Sequence, residues 1–136
     1  MTNYLLDTDI AIELLRARNV RVAEQLASRN REEVFLSTVT VAELVFGALR
    51  SRESEKGVAI CRQFCSFFRL AELDCAAAER SGVIRADLED RGERIGAYDM
   101  LIAGIALTRG CVLATHNVRE FGRVTGLRIE DWMAQP

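Results

Sequence analysis

The chain has 136 residues, 49% of them hydrophobic, and a formal net charge of −2. Those values fit one domain over residues 1–136 with a full core, and exclude a disordered chain or a basic protein that coats nucleic acid. Of 18 basic residues all but Lys56 are arginines, and no phosphate-cradling glycine-rich loop precedes that lysine, which removes a P-loop nucleotide hydrolase.

Tyr4-Leu5-Leu6 is an apolar run that ends at Asp7-Thr8-Asp9, and reads as a buried strand (Asn3 to Leu6) stopping at a charged edge. Helical spacing follows from Thr8 to Arg16, and again from Val20 to Ser28 with Val20, Ala23, Leu26 and Ala27 on one face. Arg29 to Glu33 reads as a solvated link, and Val34 to Ser37 as the second strand. Thr40 opens a third helix through Phe46, and a charged stretch from Arg50 to Lys56 precedes a fourth. In that fourth helix Val58, Cys61, Cys65 and Phe68 share a face that is core or interface. Its aromatic and apolar content supports a homodimer.

Leu70 to Leu73 forms a brief strand, Asp74 caps a helix from Cys75 to about Asp90, and Gly92 to Ala97 is a loop. Met100 to Leu107 is a helix apolar nearly all round, hence buried, and too short to span a bilayer. Cys111 to Ala114 is a fourth strand, Glu120 and Phe121 lie on a short helical turn, and Leu127 to Ile129 is an edge strand. Strands alternating with helices give an α/β fold with a mostly parallel sheet of four to five short strands. The N-terminus shows no basic, apolar leader, so the expected location is the cytoplasm, with no membrane partner. The four cysteines lack a CxxC pair and the single histidine, His116, is distant from most of them; they read as buried reduced thiols.

Taken singly, the polar residues at strand ends have ordinary explanations. Thr40-x-x-Glu43 and Asn117-x-x-Glu120 have the form of capping boxes, and Asp7, Asp9 and Asp99 that of N-caps. Taken together, Asp7, Glu43, Asp99 and the Asn117–Glu120 turn all fall at strand ends or helix starts, the same edge of a parallel sheet. Helix N-termini contribute only about 0.3 to 1 kcal/mol each toward holding such charge. A hard divalent cation offsets it far better, and brings chemistry suited to phosphodiesters.

Four segments carry a resemblance: Leu5-Leu6-Asp7-Thr8-Asp9; Ser37 to Leu44 with Gly47-Ala48; Ala97 to Ala103; and Ala114 to Phe121. With the closing Gly126 to Trp132, they make the chain resemble the PIN-domain family, and within it the VapC-like toxins of bacterial toxin–antitoxin pairs. The resemblance implies a PIN-like three-layer fold and an Mg²⁺-dependent (or Mn²⁺-dependent) endoribonuclease. Such an enzyme cleaves RNA of the tRNA or rRNA class, inhibits translation and is restrained by a cognate antitoxin. By position it implies Asp7, Asp99 and Glu43 as metal ligands, with Asn117, Glu120 and Thr115 completing the catalytic set. Asn117 stands where many relatives have an aspartate, and Asp9 where many have asparagine. Arg119, Arg85, Arg91 and Arg94 are candidates for contacting the RNA backbone, and His116 invites a general-base role.

Two other readings bear on the same residues. Asp7-Thr8-Asp9 has the form of the start of an aspartyl-phosphate phosphatase, which also needs a lysine near a later strand. A catalytically inactive binding module would keep the fold, and neutral Asn117 is its support.

Overall fold

Adjacent residues of a strand point to opposite faces of its sheet, and here both faces are covered, so the three central strands are apolar throughout except at Ser37. The computed structural model describes residues 1–135; Pro136, the last residue of the expected 1–136 unit, lies outside them. Five parallel strands are ordered β3-β2-β1-β4-β5: β1 (Tyr4–Leu6), β2 (Val34–Ser37), β3 (Arg69–Ala71), β4 (Val112–Ala114) and β5 (Ile129–Glu130). Leu5 pairs in register with Phe35 and Leu113, Leu6 with Leu36 and Ala114. The first set joins one core, with Ala77, Ile84, Ile102 and Ile105. The second joins another, with Ile10, Val22, Leu44, Cys61 and Trp132. Helices α1 (Thr8–Arg16) and α2 (Val20–Ala27) therefore cover one face, and α5 (Cys75–Asp90) and α6 (Ala97–Arg109) the other. The three-layer α/β fold is the one expected.

The strand order carries a topological switch. The chain lays β2 and then β3 on one side of β1, and β4 and β5 on the other. Connections therefore leave the carboxyl ends of β1 and β4 in opposite directions, opening a crevice there. Asp7 and Thr115 are the first residues past those two ends.

Several boundaries shift for identifiable reasons. Ser37 caps α3 (Thr38–Leu49) by accepting from the Thr40 amide at 3.0 Å, so the helix starts two residues before Thr40 and the Thr40–Glu43 pair is no capping box. Helix α4 (Ser54–Ser66) takes in the end of the charged stretch, and the last strand is Ile129–Glu130 rather than Leu127 to Ile129. Val22 is the buried residue of α2 while Val20 is 70% exposed, a face rotated from the one expected. Cys61 and Cys111 are buried and Cys65 partly so, but Cys75 is exposed, against the expectation of four buried thiols. Asp74 caps α5 through the Ala77 amide, and Gly110, at φ 66°, ends α6 in the left-handed region that glycine tolerates.

The α5–α6 contact is close because Gly104 has no side chain. A Cβ there would lie 2.1 Å from Ser81 Oγ and 2.7 Å from the Ala77 carbonyl oxygen. The carbonyl belongs to a helix backbone and cannot rotate away. Gly104→Ala is expected to lower the unfolding free energy by about 2 kcal/mol, as overpacking does, measured by urea denaturation. An unchanged midpoint would show that the helices can separate freely.

Candidate active site

Asp7 sits at the mouth of the switch crevice. Its amide donates to the Ala114 carbonyl at 2.8 Å, which fixes the backbone between β1 and β4. One carboxylate oxygen accepts from the Thr8 amide at 2.9 Å and the other from the Thr115 hydroxyl at 2.8 Å. Only 4% of Asp7 is exposed. Burial foremost, then the charge of Asp9, pushes its carboxyl up to about 8, with Asp99 adding to the rise and the two hydrogen bonds opposing it.

Glu43 arrives from α3 through a chain of hydroxyls. Thr8 Oγ1 donates to Glu43 Oε1 at 2.7 Å and lies 2.9 Å from Thr40 Oγ1. A hydroxyl has one hydrogen, so with Thr8 donating to Glu43, Thr40 donates to Thr8. Ser37 Oγ in turn donates to Thr40 Oγ1 at 3.2 Å. Thr40 is fully buried, and it works in this relay instead of opening a helix.

Asp99 lies in the first turn of α6, whose N-cap is Gly96, so it is not itself the cap. It is half-buried, and burial followed by the charges of Glu120, Glu43 and Asp9 raises its carboxyl to about 6. Asn117 precedes α7 (Val118–Phe121) without capping it. Its amide nitrogen Nδ2 donates to Glu120 Oε2 at 2.6 Å, and its backbone N–H donates to Thr115 Oγ1 at 2.9 Å. Thr115 thus links the Asn117–Glu120 turn to Asp7. Asp7, Glu43, Asp99, Thr115, Asn117 and Glu120 are all brought to one rim.

Two further groups belong to the rim. Asp9 Oδ2 accepts from the His116 amide at 3.1 Å, while Asp9 Oδ1 is buried with no hydrogen-bond partner among the described residues. His116 Nδ1 lies 3.2 Å from both carboxylate oxygens of Asp131. Spacing could flag Asp9, since it follows Asp7 by two residues; nothing in the sequence ties Asp131 to His116.

Among the described residues, none of the ion pairs involves Asp7, Asp9, Glu43, Asp99 or Glu120. Five carboxyl groups at one rim without a cationic side chain, one oxygen of them orphaned in the interior, fit a hard divalent ion in donor chemistry. The donors are not gathered in advance: among the described residues no three His, Cys, Asp or Glu side chains form a ready cage. The raised Asp7 and Asp99 carboxyls reflect burial first and, after it, repulsion from the neighbouring acids.

The arginines divide. Arg85 is paired with Glu89 at 2.8 Å, and Arg91 with Asp87 at 2.8 Å, Glu93 at 3.2 Å and the Arg123 carbonyl at 2.6 Å. Arg85 and Arg94 line an open cleft of about 720 Å³ at the α5–α6 turn, beside Ala97 and Met100 at the start of the helix that carries Asp99. Arg119 is exposed on α7, between Asn117 and Glu120 in the chain. Lys56, the lysine a phosphoryl-aspartate enzyme would need, is on α4 beside Glu53 at 3.8 Å.

Comparison with known proteins finds a matching family and several similar chains. The PIN domain family matches residues 4–127. The chain is 39% identical over 132 residues to the tRNA(fMet)-specific endonuclease VapC of Shigella flexneri, covering 97% of this chain and 99% of that one. It is 35% identical over 133 residues to ribonuclease VapC2 of Haemophilus influenzae, covering 98% and 100%. Among solved structures, DNA-bound VapBC from Salmonella typhimurium superposes with a TM-score of 0.90 at 37% identity, covering 97% of this chain and 99% of that one. VapBC-1 from nontypeable Haemophilus influenzae superposes at 0.88 with 32% identity, covering 98% and 100%.

Proposed function

The chain belongs to the PIN domain family, and on that premise we propose that it is a VapC ribonuclease, the toxin of a toxin–antitoxin pair. The carrying observation is the set of carboxyls on the rim of the β1/β4 crevice that make no ion pair among the described residues, one Asp9 oxygen being buried without a hydrogen-bond partner among them. Asp7, Asp99 and Glu43 would hold Mg²⁺, or Mn²⁺ in its place. Bound there, the ion would acidify a water and offset the charge that builds on the phosphodiester.

The chain's own residues set the geometry. Thr115 and the Thr8 amide fix both oxygens of Asp7, and the Thr8 hydroxyl fixes Glu43. Asn117 turns Glu120 toward the same rim, within repulsive range of Asp99. Hydrolysis by water then leaves a 3′-hydroxyl and a 5′-phosphate. Arg119 and Arg94, whose side chains make no ion pair among the described residues, are the first candidates to steer the RNA backbone, with Arg85 and Arg91 behind them.

The relatives' names favour tRNA as the substrate class, with loss of translation as the consequence. The VapBC structures favour a cognate antitoxin as partner. Exposed Phe46, Leu49, Phe67 and Leu70 on and around α3 and α4 support partner or homodimer contacts. Among the described residues no helix is long and apolar enough to cross a membrane, in keeping with a cytoplasmic site of action.

The test is incubation of antitoxin-free protein with a tRNA pool in Mg²⁺. The expected outcome is discrete fragments with 5′-phosphate ends, suppressed by EDTA and by added antitoxin. Intact RNA from folded protein would reject the enzyme in favour of an inactive binding module.

A further inference from the structure

The turn from Thr115 to Asn117 supplies contacts to Asp7, Asp9 and Glu120, and the bond within it is the one from the Asn117 amide to Thr115 Oγ1 at 2.9 Å. We propose that Arg29, outside the rim and distant in the chain, is a positioning residue for this turn, acting through the strap at residues 130–133. Its catalytic consequence rests on the ribonuclease reading; its structural one does not.

The path is continuous. The Arg29 guanidinium lies 4.5 Å from the centroid of the Tyr4 ring and 4.7 Å from that of Trp132. Its Nη2 donates to Glu130 Oε1 at 2.6 Å, and Trp132 Nε1 donates to the same oxygen at 3.0 Å. Trp132 is 1% exposed, so the strap is pinned through a buried ring. From Glu130 the carbonyl accepts from the Thr115 amide at 3.0 Å, and the next residue, Asp131, faces His116 Nδ1. On its other side the turn meets Asp7 through Thr115 Oγ1 and Asp9 through the His116 amide.

An anchor is needed because β5 has only two residues and pairs with β4 alone. Such a short edge has little stability of its own. A charge-assisted hydrogen bond combined with two cation–π contacts is strong where water is partly excluded, and the Arg29 side chain is 17% exposed. The local sequence places Arg29 in a solvated link; in the fold it is the clasp that closes the strap over β1.

The test uses Arg29→Met, which retains much of the apolar stem, and Glu130→Gln, which leaves in place the bonds that Arg29 Nη1 donates to the Gln25 carbonyl and Oε1 of α2 at 2.8 and 2.7 Å. In tRNA cleavage, kcat is expected to fall about tenfold or more in Arg29→Met while KM stays within about twofold, since small misplacements at a reacting centre are costly. In metal-free protein, the His116 and Asn117 amides are expected to exchange about tenfold faster while α5 amides keep their rates. Glu130→Gln should move both readouts in the same direction by less, and it decides the matter if Arg29→Met does not fold. Faster turn exchange with no RNA cleavage by wild type leaves the positioning role standing and removes the ribonuclease reading. Unchanged turn exchange, or unchanged kcat per folded molecule in an active enzyme, overturns the proposal even if the thermal midpoint drops.

Discussion

Asp99→Asn is expected to reduce Mg²⁺-dependent RNA cleavage by about a thousandfold while leaving the protein folded, the scale on which loss of a preorganised electrostatic group acts. The substitution keeps shape and removes one charge from the half-buried first turn of α6, where Glu120, Glu43 and Asp9 already repel it. Relief of that repulsion works against any loss of stability, so a drop in rate reports on chemistry. Cleavage should be measured at saturating and subsaturating RNA, with circular dichroism confirming the fold. A variant that cleaves within about threefold of wild type would show that Asp99 carries none of the transition-state charge.

Asp7→Asn is expected to separate activity from stability in a second way. An Asp7 carboxyl raised to about 8 in the fold, against 3.8 unperturbed, holds a proton that the unfolded chain has already released. Between those values the native state binds more protons, so raising the pH favours unfolding. The metal-free protein should therefore be most stable near or below pH 4 as far as this group is concerned, and lose stability up to about pH 8. By linkage the loss at neutral pH is on the order of 4 kcal/mol, and Asp99, raised to about 6, adds a smaller loss of the same sign. Asp7→Asn removes the larger part, so its urea midpoint at pH 8 should exceed that of metal-free wild type while RNA cleavage is lost. Mg²⁺ should stabilise wild type more at pH 8 than at pH 6, since protons compete for the ligands. A wild-type midpoint that rises with pH across this range would contradict the picture of buried, mutually repelling carboxyls.

Much of this organisation was legible because it depends on local pattern. The apolar run into Asp7, the capping Asp74, the glycine closing α6 and the alternation of strands and helices each follow from chemistry within a few residues. The placing of Asp7, Glu43 and Asp99 on one rim followed from Asp7 ending a strand and from Glu43 and Asp99 lying early in helices. What escaped depends on partners distant in the chain. Thr40 matched a cap by its spacing to Glu43, but Ser37 took that position and freed Thr40 for the buried hydroxyl chain to Thr8. Asn117 matched one too, yet its side chain holds Glu120 instead of a backbone amide. Arg29 looked solvated because its aromatic partners, Tyr4 and Trp132, are brought to it only by the folded sheet. In the eight-residue α2 the apolar residues fall on more than one side, and tertiary packing selected Val22 over Val20.

The most direct measurement is an anomalous-scattering map of crystals soaked in Mn²⁺, a heavier stand-in for Mg²⁺. The expected result is a peak between the Asp7 and Asp99 carboxylates with Glu43 turned toward it. A peak elsewhere on the surface, with those side chains facing apart, would contradict a divalent-ion site at the β1/β4 crevice.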